Sequence, residues 1–253
     1  MTLTAWQFTY NGLSFGVGSE IGVTQISGLR EMPPLRASDS PRLRAPGDYY
    51  GIDVIGARTI GFSLLVVAQS DLETQLTNID TAFIPLQSTT SNLVFQLPNQ
   101  GQNRQVACRC RRRSTVIDPN YSYGYVTTQV QLVAADPRIY DVTQTTVSLN
   151  GTATNSGNVE SRPVVTCTSP ASGTTVTNTT STGFVKLTAV SPNTMPGTVV
   201  IDAGARTITD GTNNRMDLLD PTSTWFTVAP GANTFTVAGG GTASLTFRNA
   251  WLQ

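Results

Sequence analysis

The stretch QVACRCRRRS, Gln105 to Ser114, holds two thiols two residues apart and four guanidinium groups within five residues. Three kinds of chemistry are open to it. Two thiolates on one face would supply half of a tetrahedral zinc site, which takes four ligands. A row of arginines can track a nucleic-acid backbone, each neutralised phosphate adding a salt-dependent increment of affinity. The third reading is a plain strand with small sulfur-bearing residues on the core face and charge on the other. As a strand, Val106, Cys108, Cys110 and Arg112 would share one face, and Ala107, Arg109, Arg111 and Arg113 the other.

The rest of the sequence favours the strand. Cys167 is the only other cysteine and there is no histidine, so a zinc site lacks ligands. Side chains at i and i+2 of a strand splay apart, which argues against a Cys108–Cys110 disulfide. No aromatic residue interleaves with the arginines, as base stacking would favour. Cys108 and Cys110 are therefore expected on a buried face, with neither metal nor disulfide.

Composition narrows the function classes. The 253 residues carry 16 basic and 16 acidic side chains. Residues 1–137 hold ten of each and residues 138–253 six of each, so neither half has the basic excess of a nucleic-acid-binding domain. Without histidine there is no Ser-His triad and no imidazole general base. Asp202, Asp210, Asp217 and Asp220 match no EF-hand spacing, and Gly239-Gly-Gly241 lacks the following helix and lysine of a phosphate loop. The chain is expected to have no catalytic residue, no cofactor and no metal. The first dozen residues lack a basic-then-apolar leader, and no apolar run approaches the roughly 20 residues of a membrane span. Three cysteines in a chain this long fit free thiols in a reducing compartment.

The elements that must position these residues are mostly strands. Charged residues are only 13% of the chain, and Thr, Gly, Asn and Pro are plentiful. Trp6, Phe8 and Tyr10 alternate up to Asn11-Gly12, a hairpin turn, and Leu13 and Phe15 begin the return. Ile60 to Val66, Leu93–Leu97, Arg104–Arg112 and Tyr125–Ala134 are further strands. One helix is expected over Ser70–Phe83, with Ser70 and Glu73 as a capping box, Leu72, Leu76, Ile79 and Phe83 as its apolar stripe, and Pro85 as its stop. Residues 28–50 contain four prolines and show neither strand nor helix period, so an irregular interaction loop is expected there. After Ala134–Tyr140 the character changes to short strands: Val164–Thr168, Thr198–Asp202, Arg206–Thr209, Trp225–Val228, Thr234–Val237 and Ala243–Phe247. Turns at Pro170–Gly173, Asp202–Gly204, Pro230–Asn233 and Gly239–Gly241 separate them, the rhythm of a β-sandwich.

Several segments together resemble one family. LVAADPRIYD, NSGNVESRPVVTCTSP, VVIDAGARTITDG, WFTVAPGANTFTV and the terminal Ala250-Trp251 are similar to the distal tail proteins of long-tailed, non-contractile bacteriophages, the hub of the siphophage tail tip. So are YNGLSFG, the Arg/Pro-rich loop with Asp39 and Gly47, GARTIGFSLLV and RQVACRCRRR in the first half. Thr168-Ser169-Pro170 departs from the family's usual Gly-Pro turn. The resemblance implies a tube-like belt domain over residues 1–137, two β-sheets plus one helix, and a galectin-like β-sandwich over 138–253. It implies a homohexameric ring at the distal end of the tail tube, DNA passing through the lumen without specific binding. The implied partners are the tail tube protein, tip or tail-associated hub proteins, and receptor-binding or fibre proteins. The implied location is the virion, after assembly in the host bacterial cytoplasm without membrane insertion. A carbohydrate-binding module for host attachment is the rival reading; the missing histidine, part of the galectin sugar-binding set, weighs against it. Arg36, Arg42 and Arg44 of the loop, and Arg109, Arg111 and Arg113 of the strand, are expected at subunit interfaces. Most arginines of the strand, Arg112 included, should pair with carboxylates or face outward, because unpaired lumenal guanidiniums would hold passing DNA.

Overall fold

In a computed structural model, which describes residues 3–68, 70–189 and 194–252, the chain is mostly β, with one α-helix among the described residues. It divides into two compact units between Val142 and Thr143.

The first unit opens with β1 (Gln7–Tyr10) and β2 (Leu13–Gly16), a hairpin about Asn11 and Gly12 at φ 46° and 86°. A two-residue turn of this hand needs positive φ at both positions, which Asn and Gly adopt at least cost. Next come β3 (Ile21–Ser27), β4 (Leu35–Arg36), β5 (Ser40–Pro41), β6 (Asp48–Tyr49), β7 (Val54–Ile55) and β8 (Arg58–Val67). Helix α1 (Leu72–Ala82) precedes β9 (Ser91–Gln96), β10 (Arg104–Val116), β11 (Tyr125–Ala134) and β12 (Ile139–Asp141). The strand order is β2-β1-β9-β10-β11-β8-β3, with β12 beside the start of β10. The pairing of Tyr140 and Asp141 with Gln105 and Arg104 keeps β12 in the first unit, so the division falls beyond the change of character at 137/138.

Strand β10 links the two halves of this sheet. Its start, Arg104 to Cys108, pairs with β9, and its continuation, Arg109 to Val116, pairs with β11. The core between the halves is aromatic: Phe8 stacks on Phe15 at 5.5 Å, Tyr10 on Phe83 at 5.2 Å, and Phe62 meets Phe8 and Phe15 edge-on at 5.5 Å. Helix α1 closes it with Ile79, Ala82 and Phe83, while Leu72 and Leu76 pack at its margin. The expected capping box does not form. The helix starts one residue later than Ser70, with Asp71 as N-cap; the Asp71 carbonyl accepts from Thr74 and Gln75, and the Glu73 carboxylate accepts from the Tyr121 hydroxyl.

The proline-rich segment is more regular than its composition predicts. β4 pairs with β7 and β5 with β6, nesting into a two-step antiparallel arm. Each strand is only two residues long, and β5 ends on Pro41, which the edge of a two-stranded ladder tolerates and a central strand would not.

The second unit is a sandwich. One sheet runs β13 (Thr145–Leu149), β21 (Thr242–Phe247), β15 (Val164–Thr168), β18 (Thr198–Asp202), β19 (Thr207–Thr209). The other runs β14 (Gly151–Asn155), β20 (Gly231–Ala238), β16 (Thr175–Asn178), β17 (Phe184–Lys186). Two readings fail here. Trp225–Val228 is no strand: only isolated bridges flank it, Thr224 to Phe184 and Val228 to Ser161, although Phe226 and Val228 are buried. Pro230–Asn233 is no turn, since Gly231 already begins β20. Buried amides pin the loops: Asn233 donates to the carbonyls of Ala229 (2.7 Å) and Gly231 (3.0 Å), and Asn178 donates to that of Thr227 (2.8 Å).

Candidate functional site

The CRCRRR stretch lies where β10 passes from β9 to β11. Val106, Cys108 and Cys110 are buried as alternation requires. The alternation then breaks. Cys110 pairs with Leu132 and Arg112 with Gln131, so Arg111 is an extra bulged residue. This corrects the face assignment: Arg112 turns to the outer face beside Gln129 and Gln131, and Arg113 turns toward α1. Burial pushes the Cys108 thiol up to about 12 and Cys167 to about 11, and Cys110 also shifts upward, so these thiols are poor nucleophiles. Among the described residues no three His, Cys, Asp or Glu side chains gather as a metal-binding group.

The arginines have separate duties. Arg113 pairs with Asp80 at 3.1 Å and donates to the Asp80 carbonyl at 2.8 Å, fastening β10 to the helix. Both side chains are partly exposed, so the pair contributes no more than about 1 kcal/mol. Arg109 donates to the carbonyls of Gln87 and Ser88 at 3.3 and 2.9 Å. Arg111 and Arg112 have no partner among the described residues, and Arg112 borders an open groove of about 310 Å³ lined by Gln25, Ser27, Ser63, Gln129 and Gln131. That groove is polar and nearly uncharged.

Arg36, Arg42 and Arg44 all lie on the arm, away from this strand. Arg36 is in β4, Arg42 sits 5.1 Å above the Tyr49 ring, and Arg44 occupies the end turn at φ 68°. None makes an ion pair within the described chain. The arm also exposes Leu43 (93%), Tyr49, Tyr50 (96%) and Ile52. Exposed apolar side chains gathered on one arm make it a candidate binding surface.

The arm's root is held by Arg58, only 1% exposed. Its guanidinium donates to the carbonyls of Pro137 (2.8 Å), Glu31 (3.0 Å) and Gly28. Burial lowers its pKa, and nearby Glu31 opposes that shift. Gly28, at φ 82°, lies so close to Thr59 that a Cβ would overlap its carbonyl oxygen.

A second surface was not singled out from the sequence. At the opposite end of β8, Val67 pairs with Tyr125, and the two are exposed together with Val116, Ile117 and Tyr123. The Tyr-rich segment IDPNYSYGY carried the signal, since strand alternation alone puts Tyr125 outward.

In the second unit the four aspartates hold turns and ion pairs. Asp202 accepts from the Gly204 and Ala205 amides, and Asp210 from those of Thr212 and Asn213. Arg215 bridges to Asp217 at 3.1 Å, and Lys186 to Asp220 at 3.1 Å.

Residues 156–251 match the family model described as "Siphovirus-type tail component, C-terminal domain". That match falls within the second unit. The fold of the whole chain is similar to that of the phage SPP1 Dit (gp 19.1) protein, whose crystal structure is described as a paradigm of the hub adsorption apparatus in phages infecting Gram-positive bacteria. The TM-score is 0.75 at 15% identity, covering 98% of this chain and 100% of that one. Chains of the phage P2 baseplate in its activated conformation, with Ca and with Sr, match at TM-score 0.53 with 9% and 10% identity, each covering 96% of this chain and 97% of the other. Among curated proteins none matches in sequence.

Proposed function

We propose that this chain is the structural hub of a siphophage tail tip. Six copies close into a ring at the distal end of the tail tube, join the tube to the tip or baseplate proteins, and leave a channel for DNA. The fold likeness to SPP1 Dit over nearly the full length of both chains carries this reading, and the tail-component match of the second unit supports it. The residues themselves suggest an assembly part: an arm rich in exposed apolar and arginine side chains, and thiols too buried to react. The role is structural rather than enzymatic, and its place is the virion, after assembly in the host cytoplasm.

Within that ring, Arg36, Arg42 and Arg44 contact a neighbouring copy or the adjoining ring. Arg109 and Arg113 are already engaged within the chain and stiffen the interface strand. Arg111 and Arg112 meet a neighbour's carboxylates or face away from the channel, so that DNA slides past without being held.

Negative-stain images of the purified full chain test the reading. Closed six-fold rings with a central channel are expected. Particles of monomer size at every concentration, with micromolar glycan binding, would overturn it in favour of a host-attachment module.

A further inference from the structure

We infer that the first unit carries a two-ended, head-to-tail contact: the arm tip of one copy docks on the Tyr-rich end of another. This goes a step beyond the hub reading and rests on it only for the copies being brought together.

The two ends are fixed by the strands. β8 runs from Arg58, at the arm's root, to Val67, and β11 returns antiparallel from Tyr125 to Ala134, so Val67 faces Tyr125 and Arg58 faces Ala134. Ten residues of β8 separate the ends by about 30 Å at roughly 3.3 Å per residue. The arm thus springs from the end of the sheet opposite the Tyr-rich surface, and the exposed side chains of both are available to a second copy.

Both ends are apolar and differ in charge. The arm's end turn, residues 42–47, presents Arg42, Leu43 and Arg44 and contains no acid. The far end exposes Val67, Val116, Ile117 (75%), Tyr123 (69%) and Tyr125. Around them stand Glu20, Asp71, Glu73 and Asp118, while segments 17–20, 65–75 and 114–127 contain no lysine or arginine. Local bonds hold these carboxylates in place. Gln75 donates to Glu20 at 2.8 Å and to Asp71 at 3.0 Å, Tyr121 donates to Glu73, and Asp118 caps the turn at Pro119–Tyr123. Each of those donors is a neutral group, and none of the four carboxylates has a cationic partner among the described residues.

A basic tip flanking one exposed leucine thus faces an acidic rim around exposed aliphatic and tyrosine side chains. Tyr123 and Tyr125 are the kind of side chain that dominates binding energy at interface centres, and the opposite charges set orientation and encounter rate. The contact is heterologous: each copy offers a different surface to each neighbour, so copies add in series, closing into a ring or continuing as a stack.

Site-directed crosslinking tests this. Leu43→Cys and Ile117→Cys are made as separate full-length proteins; both positions are exposed, and the three native thiols are buried. A short bismaleimide should yield a covalent dimer when the two proteins are mixed and little with either alone. Adding Arg42→Glu and Arg44→Glu to the first protein should cut the mixed dimer at least tenfold. Efficient crosslinking of Leu43→Cys to itself would overturn the inference in favour of a two-fold tip-to-tip contact. No mixed crosslink would also overturn it: if wild-type rings are seen in the same preparation, the hub reading stands and only this contact falls, whereas monomers throughout sink both.

Discussion

The two units treat apolar surface in opposite ways. The second hides it: among the described residues Met216 is its only large apolar side chain left exposed, and its loops are pinned by Asn155, Asn178 and Asn233. The first has the larger aromatic core and still leaves Leu43, Tyr50, Ile52, Ile117 and Tyr123 in solvent. Solvent-exposed side chains of that size add nothing to the stability of the monomer. Their concentration in one unit is what favours that unit as the assembling part under the proposed function. The same contrast holds for the arginines. In the second unit Arg215 is spent on nearby aspartates, while in the first Arg36, Arg44, Arg111 and Arg112 have no carboxylate within the described chain.

Mutations that unfold one unit at a time would test how separate these roles are. The largest effect is expected from Phe62→Ala, which removes the ring meeting both Phe8 and Phe15. It should cost the first unit about 3–5 kcal/mol in a urea titration and leave a later transition of the second unit in place; a single transition moving as a whole would show the units to be coupled. Arg58→Met strips a donor from three carbonyls, two of them at the arm's root. It should cost about 2–4 kcal/mol and raise proteolytic cleavage within residues 29–57, a readout that simple loss of stability elsewhere would not give. Asn233→Ala should destabilise only the second unit, by about 2–3 kcal/mol, because it orphans the Ala229 amide and carbonyl and the Gly231 carbonyl; ring formation in images should survive.

The smallest effect is acid sensitivity of the second unit. Hydrogen bonds from Thr222 and Lys186 hold Asp220 well below the usual carboxylate range, amide bonds at Asn213 lower Asp210, and Arg215 lowers Asp217. A carboxylate lowered in the folded state stabilises the fold above its unfolded value, near 4, and that contribution fades as pH falls through the folded value. The melting temperature of the second unit should therefore drop as pH is taken from about 5 to about 2. Asp220→Asn should flatten that slope, and an unchanged slope would refute the assignment.

The legible parts of the fold were those with strong local patterns. The Asn11-Gly12 hairpin, the 3.6-residue stripe of α1 and the alternating β8 and β11 each bury one face that the sequence marks plainly. The bulge at Arg111 was not legible, because Arg112 and Arg113 follow it and a one-residue slip leaves no mark among arginines. The capping box failed because Glu73 found a tertiary partner, Tyr121, 48 positions along the chain. Trp225–Val228 alternated like a strand, but burial of Phe226 and Val228 does not require a ladder of hydrogen bonds. At the candidate site, the arm's departure from the surrounding strand pattern was readable from its prolines, although its nested pairing was not. The Tyr-rich end was not legible although Val116, Ile117, Tyr123 and Tyr125 lie within ten residues, because only the pairing of β11 with β10 and β8 sets them beside Val67 as one exposed group.

The most direct measurement is the mass of the full chain in solution by multi-angle light scattering across a hundredfold range of concentration. A hub whose first unit is built for assembly should show a species of six times the 26.9 kDa chain, growing with concentration at the expense of smaller ones. A mass of one chain at every concentration would contradict it.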